Sequence, residues 1–370
     1  MTKFFRYLQS HPLAILLVGM PLALTAELLH WNPLWIFAFS AIGVVPLASY
    51  IGESTEALAH YTGPKLGGLL NATLGNAAEL IITIVAIQAG LLELVKASIT
   101  GSILGNLLLV LGMSMLLGGM KNGVQKFNRQ QASNNAVLLV LTVLILLVPS
   151  LFSHYIGPDT DIKVEALSLG VAGVMIVLYV LGLLYSFRMT DEHPGSGHNA
   201  GPLTPDIETH QKPTWTWQQA VVVLGLATVG VAWLSEVLVG SIEPVVDALG
   251  VSEFFIGIIF IPLIGNIAEH LVAVQVAVRN KMTLSVEIAV ASSLQIALFV
   301  APVLVFISLL MGHPLTLVFN QFELVALVAG VMIAAMVSTD GESNWLEGVE
   351  LLAIYVILAL AFFLLPMVTP

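Results

Sequence analysis

Apolar stretches of about 17 to 25 residues recur along most of the chain, and short polar segments separate them. As an α-helix, a stretch of this length crosses about 30 Å of hydrocarbon. Strands of a membrane barrel would be shorter and would alternate apolar with polar residues, which this chain does not do. The pattern therefore predicts an all-α polytopic membrane protein.

We count about eleven transmembrane helices. The N-terminal stretch begins like a signal peptide, but no small-residue cleavage site follows it, so we interpret it as the first transmembrane helix. The predicted spans are residues 12–29, 33–51, 66–92, 97–118, 134–151, 165–187, 217–239, 254–278, 284–311, 322–338 and 347–368.

The basic residues predict an orientation. With the N-terminus in the cytoplasm, most Lys and Arg residues fall on the inner side, as the positive-inside rule requires. The inner set is Lys3, Arg6, Lys65, Lys121, Lys126, Arg129, Arg188, Lys212, Arg279 and Lys281, and only Lys96 and Lys163 fall outside. The C-terminus is then outside.

The composition and the missing motifs exclude several classes of function. The chain is 58% hydrophobic and 9% charged, with a net charge of −11 and no cysteine. Disulfides, thiolate metal sites and cysteine nucleophiles are therefore excluded. No basic patch for nucleic acid, no ATP-binding P-loop and no zinc-protease motif is present. We expect neither an enzyme nor a bound cofactor.

One polar segment, "RMTDEHPGSGHNAGPLTPDIETHQKPTW", interrupts the apolar pattern. We predict a cytoplasmic linker over residues 188–216. It is either a solvated linker or a regulatory segment that binds cations. The side chains available for binding are His193, His198, His210, Asp191, Glu192, Asp206 and Glu208.

Two similar motifs lie 190 residues apart: "GNAAEL" at 75–80 and "GNIAEH" at 265–270. The same offset matches Gly67 with Gly257 and Ser102 with Ser292. In the predicted topology the two motif helices run in opposite directions, which is the plan of many secondary transporters. We predict an N-terminal helix in 1–32, a five-helix repeat in 33–187, and an inverted five-helix repeat in 217–370.

Each motif places a carboxylate near the middle of the membrane, at Glu79 and Glu269. A charge at that depth costs at least about 2.5–3.5 kcal/mol, so such acids usually line an ion or proton path. Asn76 and Asn266 each lie one helical turn before the Glu, on the same helix face. Two carboxylates and two amide oxygens favour Ca²⁺, which takes six to eight oxygen ligands in a tolerant geometry.

The glycine before each asparagine, Gly75 or Gly265, should weaken its helix. Pro262 adds to this effect in the second motif. Broken helices expose backbone carbonyls where they line a cavity. We therefore expect both motif helices to break and backbone oxygens near both glycines to complete the coordination.

Further polar residues surround the motifs. Ser102, Asn106, Ser292 and Gln295 either orient the site or form hydrogen bonds between helices only. His270 is a helix-interface residue or a modulator linked to protons. Four acids are candidates for the access path or gate: Glu53 and Glu56 at the predicted inner end of the second span, and Glu236 and Glu243 at the outer end of the seventh.

These motifs resemble the calcium/proton exchanger family, CAX, of the calcium/cation antiporter superfamily. The resemblance rests on "GNAAELIITIVAI", "GNIAEHLVAV", "GSILGNLLLVLG" and "SSLQIALFVAPV", and it covers nearly the whole chain from the second span onward. It implies eleven spans, with Glu79 and Glu269 as the central cation and proton carboxylates. Asn76 and Asn266 would flank them, and Ser102, Asn106, Ser292 and Gln295 would line the site.

A carboxylate in a dry site tends to hold a proton, and bound Ca²⁺ would displace it. The predicted function is a Ca²⁺/H⁺ antiporter that exports Ca²⁺, or other divalent cations, by alternating access. A Na⁺-coupled Ca²⁺ exchanger is the alternative, and a channel or a structural membrane protein is less well supported.

The expected partners are the lipid bilayer, a divalent cation and possible copies of the same chain. The expected location is a prokaryotic plasma membrane, because the long N-terminal extension of many vacuolar members is absent.

Overall fold

The computed structural model describes residues 12–192 and 215–365. Within these residues, eight helices are long and apolar enough to cross a membrane. A pair bent by 40°, Leu66–Leu74 and Ala77–Gln88, makes a ninth if it is counted as one span, and two shorter apolar helices cover Pro12–Leu28 and Gln321–Val337. The all-α polytopic fold is confirmed, and the number of spans stays a prediction.

The helices follow one another with short connections. In the first half they are α1 (Gly19–Leu28, after the 3₁₀ segment Pro12–Val18), α2 (Pro33–Thr62), α3 (Pro64–Leu74), α4 (Ala77–Gln88), α5 (Leu92–Leu104), a π segment (Gly105–Val110), α6 (Leu111–Asn122), α7 (Arg129–Ile156) and α8 (Ile162–Glu192). In the second half they are α9 (Trp217–Gly240), α10 (Ile242–Leu249), α11 (Glu253–Phe255), a π segment (Ile256–Phe260), α12 (Ile261–Val278), α13 (Met282–Gln295), a π segment (Ile296–Val300), α14 (Ala301–Leu310), α15 (Gln321–Val337) and α16 (Trp345–Phe363). Strands β1 (Gln125–Lys126) and β2 (Glu342–Ser343) complete the described chain.

Several helices are longer than predicted, because hydropathy marks the apolar part of a helix and not its ends. Helix α2 continues to Thr62 instead of residue 51, and it stops where Gly63 adopts a φ of 82° before Pro64. Glu53 and Glu56 therefore lie within a continuous helix, in its C-terminal part, and their place at the inner end of the span stays a prediction. Helix α8 continues to Glu192, five residues into the predicted linker, while residues 193–214 lie outside the described residues.

The backbone repeats with the offset of 190 residues that the motifs predict. Helices α4 and α12 end at 88 and 278, and α5 and α13 begin at 92 and 282. Between them, Gly90 and Asn280 both adopt a left-handed conformation, with φ of 81° and 62°. The π segments that follow α5 and α13 begin at 105 and 296. The two halves therefore share local backbone geometry as well as sequence.

The two corresponding hairpins lie at opposite faces of the molecule. Gln125 donates a hydrogen bond to Asn280 in one hairpin, and Gln125 is also the β1 residue that pairs with Ser343 of β2. The hairpin around Gly90 lies at the other end of the helices, where the backbone N–H of Leu94 donates to Glu253 and Lys96 pairs with Asp159. This arrangement is what inverted repeats require.

Helices α5 and α13 form the centre of the molecule, and almost all of their residues are buried. Helix α5 packs closely against the π segment at 256–260. A side chain at Gly101 would place its Cβ 2.0 Å from the carbonyl oxygen of Ile258, and one at Gly257 would meet Leu94 and Ala97. These contacts hold α5 directly against the N-terminal half of the second motif span.

Candidate cation-binding site

The two motifs cross at their glycines. A Cβ at Gly265 would lie 3.0 Å from Oε1 of Glu79, and a Cβ at Gly75 would lie 3.6 Å from Oε1 of Glu269. Each carboxylate therefore lies against the glycine of the other repeat. The absence of two side chains is what allows the carboxylates of the two halves to enter one site.

The first motif breaks its helix, as predicted. Helix α3 ends at Leu74, and the chain bends by 40° before α4 begins at Ala77. The regular hydrogen bonds stop at Gly75 N–H to Asn71 O and resume at Leu80 N–H to Asn76 O. In this part of the described chain, the carbonyls of Ala72 and Gly75 receive no helical hydrogen bond. The Gly75 carbonyl is thus free to bind a cation beside Glu79.

The second motif does not break its helix, so that prediction is wrong. Gly265 and Asn266 lie inside the continuous helix α12, whose second residue is Pro262. The irregular backbone lies one turn earlier, in the π segment Ile256–Phe260. Inside a helix, a proline has no N–H to donate, and its ring crowds the carbonyl of the preceding turn. The wide turn ahead of Pro262 accommodates the proline, and the helix then continues regularly through the motif.

Polar side chains join the motifs across the repeat boundary. Asn76 Nδ2 donates to Gln295 Oε1 at 2.7 Å, and Asn266 Nδ2 donates to Ser102 Oγ at 3.4 Å. Each asparagine amide is thus held by the helix that follows the other motif. Asn76 and Asn266 are 1% and 2% exposed.

Two further contacts complete this polar group. Ser292 Oγ donates to Glu269 Oε2 at 2.6 Å, and the His270 ring Nε2 lies 3.2 Å from Asn106 Oδ1. All four residues predicted to surround the motifs therefore contact a motif residue. The sequence did not predict that His270 would contact Asn106, and no motif spacing signals this contact.

Two side-chain oxygen atoms of the first motif lack hydrogen-bond donors. Among the described residues, Asn76 Oδ1 and Glu79 Oε1 are buried oxygens with no hydrogen-bond partner. Glu79 is 4% exposed, whereas Glu269 is partly exposed. A buried oxygen without a donor is costly, and a hard cation such as Ca²⁺ is the partner that such oxygens suit. Within the described residues, no three His, Cys, Asp or Glu side chains are grouped to hold a metal.

The four acids predicted for the access path lie on helices α2, α9 and α10. Glu53 is half-buried on α2 and accepts a hydrogen bond from Ser49, and Glu56 is exposed. Glu236 is exposed in the last turn of α9, and Glu243 is exposed at the start of the short helix α10. Helices α2 and α9 pack against each other, α2 packs against α12, and α9 packs against α4.

The chain is similar to known transport proteins over nearly its whole length. The sequence model described as "Sodium/calcium exchanger protein" matches residues 32–188 and 219–364. A protein of Aphanothece halophytica named Ca²⁺/H⁺ antiporter is 44% identical over 362 residues, which cover 95% of this chain and 96% of the relative. The Ca²⁺/H⁺ antiporter ChaA of Bacillus subtilis is also 44% identical, over 348 residues, covering 94% and 97%.

A solved structure shares the fold. The structure of native YfkE superposes with a TM-score of 0.81 at 42% sequence identity, over 95% of this chain and 99% of YfkE. The match includes both halves of the molecule.

Proposed function

Because the chain belongs to the sodium/calcium exchanger family, we propose that it is a Ca²⁺/H⁺ antiporter and that the crossing of its two motifs is the transport site. The observation that carries this proposal is the reciprocal contact of Glu79 with Gly265 and of Glu269 with Gly75. It brings one carboxylate from each inverted repeat into a single site.

Two carboxylates in a dry site cannot both stay charged without a partner. Protons neutralise them one at a time, whereas one Ca²⁺ neutralises both and replaces the protons. The proposed ligands of the cation are the carboxylates of Glu79 and Glu269, the amide oxygens of Asn76 and Asn266, and the Gly75 carbonyl. Because the Gly265 carbonyl lies within a continuous helix, we assign Gly265 the role of making room for Glu79.

The polar side chains around the motifs would hold the cation ligands in place. Gln295 Oε1 accepts a hydrogen bond from Asn76 Nδ2. This contact orients the amide so that Asn76 Oδ1 is left for the cation. Ser292 holds one oxygen of Glu269 and leaves the other for binding. The acids Glu53, Glu56, Glu236 and Glu243 on the flanking helices would attract cations toward either end of the path. With the N-terminus in the cytoplasm, this path carries Ca²⁺ outward and protons inward.

The first prediction concerns the two carboxylates. Glu79→Gln and Glu269→Gln should each abolish Ca²⁺ flux driven by a pH gradient in reconstituted vesicles, because glutamine neither binds a proton nor neutralises Ca²⁺. Glu350→Gln is the matched control, since Glu350 is an exposed acid on α16, and it should transport normally. Near-normal flux in either of the first two variants would contradict the site.

The same vesicles separate the two coupling ions. With the pH clamped, a Na⁺ gradient should drive no Ca²⁺ uptake by the wild-type protein, whereas a pH gradient should. Uptake that follows the Na⁺ gradient alone would instead favour a Na⁺-coupled exchanger. Testing Mn²⁺ and Cd²⁺ in place of Ca²⁺ would define how many divalent cations the all-oxygen site accepts.

A further inference from the structure

Tyr179 lies against the break in the first motif helix. It is a residue of α8 and is 3% exposed. Its hydroxyl donates a hydrogen bond of 2.9 Å to the carbonyl oxygen of Ala72. That carbonyl would accept from Asn76 N–H in a straight helix, but the break removes this bond. The tyrosine hydroxyl thus replaces the helical donor that the bend takes away.

The tyrosine ring is itself held by the second repeat. It stacks on Phe299, with ring centroids 5.0 Å apart and an angle of 21° between the planes. Phe299 belongs to the π segment that follows Gln295, and Gln295 accepts the hydrogen bond from Asn76. Tyr179 therefore links the bend in one repeat to the segment of the other repeat that orients Asn76.

The second repeat differs at the position that corresponds to Ala72. At the offset of 190, the counterpart of Ala72 is Pro262, in the helix that does not break. The hydroxyl thus occurs in the half that contains the broken helix.

We propose that Tyr179 is a positioning residue for cation binding, and that its hydroxyl stabilises the bend in the span of Pro64–Gln88 by satisfying the Ala72 carbonyl. The cation site is the one assigned under the proposed function, on which this inference rests. Tyr179 does not contact the cation. It holds the backbone so that Asn76, Glu79 and the Gly75 carbonyl face the second motif.

The physical basis is a competition for one carbonyl. With the hydroxyl present, the bent backbone leaves no buried carbonyl unsatisfied at Ala72. Without it, the bent form retains an unpaired buried carbonyl, and the straight form becomes favoured because Asn76 N–H can then donate to it. Straightening the 40° bend would move the chain at Leu66 by about 9 Å, given a rise of 1.5 Å per residue.

Ca²⁺ affinity tests the consequence. Tyr179→Phe removes one oxygen atom and keeps the ring on Phe299, so the protein should fold. We expect Ca²⁺ to bind about three- to tenfold more weakly, which corresponds to the loss of one buried hydrogen bond. Tyr185→Phe is the matched control, because Tyr185 lies on the same helix with an exposed ring. It should bind Ca²⁺ like the wild-type protein.

A distance measurement tests the cause. The chain has no cysteine, so spin labels at Leu66→Cys on α3 and Met120→Cys on α6 report the bend alone. Both positions are exposed. Tyr179→Phe should shift this distance by several ångströms or add a second population, and Tyr185→Phe should not.

The two measurements together decide the proposal. Weaker Ca²⁺ binding together with a changed distance supports it. An unchanged distance overturns it, whether or not affinity falls, because Tyr179 would then not act through the bend. A wild-type protein that transports no Ca²⁺ would refute the proposed function, while the distance would still report whether Tyr179 holds the bend.

Discussion

At the residue scale, two glycines allow two glutamates to share a buried site. Gly75 and Gly265 lie at the crossing of the motifs, and each leaves room for the carboxylate of the other repeat. In the sequence each glycine lies in the same motif as a glutamate, and we predicted that the glycines weaken the helices. The structure assigns Gly265 a different role, because its helix is regular. Only the contact with Glu79 explains why no larger residue fits there.

Gly265→Ala tests this role. The new Cβ would lie 3.0 Å from Glu79 Oε1, so the carboxylate must move by a few tenths of an ångström. Because the displaced carboxylate would contact the cation less well, we expect Ca²⁺ affinity to fall about three- to tenfold, a loss of about 1 kcal/mol.

Gly225→Ala on α9 is the control, since a Cβ there meets no other atom within 4 Å. It should leave Ca²⁺ binding unchanged and can stabilise the helix slightly. If Gly265→Ala folds and binds Ca²⁺ as the wild-type protein does, Gly265 does not position Glu79.

The sequence predicted the side chains that meet at the site but not every contact between them. Amide and carboxylate groups at helical spacing in an apolar span identified Asn76, Glu79, Asn266 and Glu269. Tyr179 was missed, because one tyrosine in an apolar stripe looks like an ordinary buried residue. The role of Tyr179 depends on the Ala72 carbonyl, which lacks a helical donor only because the first motif helix bends.

At the element scale, repeated segments were easier to predict than helix ends. The offset of 190 residues, found from the two motifs, also holds for the ends of α4 and α12 and for the starts of α5 and α13. The second span was predicted to end at residue 51, because polar residues, Glu53 and Glu56 among them, follow that position. Polar residues continue a helix beyond the apolar window until a residue such as Gly63, followed by Pro64, stops it.

The two motif spans differ in how they accommodate weak helix formers. The first bends at Gly75 and Asn76, while the second has a π segment at Ile256–Phe260 and stays continuous through Gly265. Similar motifs therefore do not imply the same backbone. The difference gives the first repeat a free carbonyl at Gly75, and the second repeat contributes side chains only. The proposed site is accordingly asymmetric, although the repeats are related by inversion.

At the scale of the whole molecule, the loops gather at two faces. One face carries the pairing of β1 with β2 and the hairpin at Asn280. The other carries the ion pairs of Lys96 with Glu93 and Asp159. The basic residues of the sequence predict that the first face is cytoplasmic. The fold fixes which loops lie together, and the charge pattern assigns each face to a side of the membrane.

Cysteine labelling tests this assignment in intact cells. Because the chain has no cysteine, Asp340→Cys and His313→Cys each introduce a single thiol at an exposed loop position on opposite faces. A maleimide that cannot cross membranes should label His313→Cys in intact cells, and it should label Asp340→Cys only after permeabilisation. The reverse labelling would invert the topology and the proposed direction of Ca²⁺ transport.

The central claim is that Glu79 and Glu269 hold either protons or one divalent cation. The most direct measurement is proton release when Ca²⁺ is added to the purified protein in a weakly buffered solution. Wild-type protein should release protons in proportion to the Ca²⁺ bound and should saturate at the same Ca²⁺ concentration. Glu79→Gln and Glu269→Gln should each lose this release, and Glu350→Gln should retain it. Saturable Ca²⁺ binding by the wild-type protein without proton release would contradict the account.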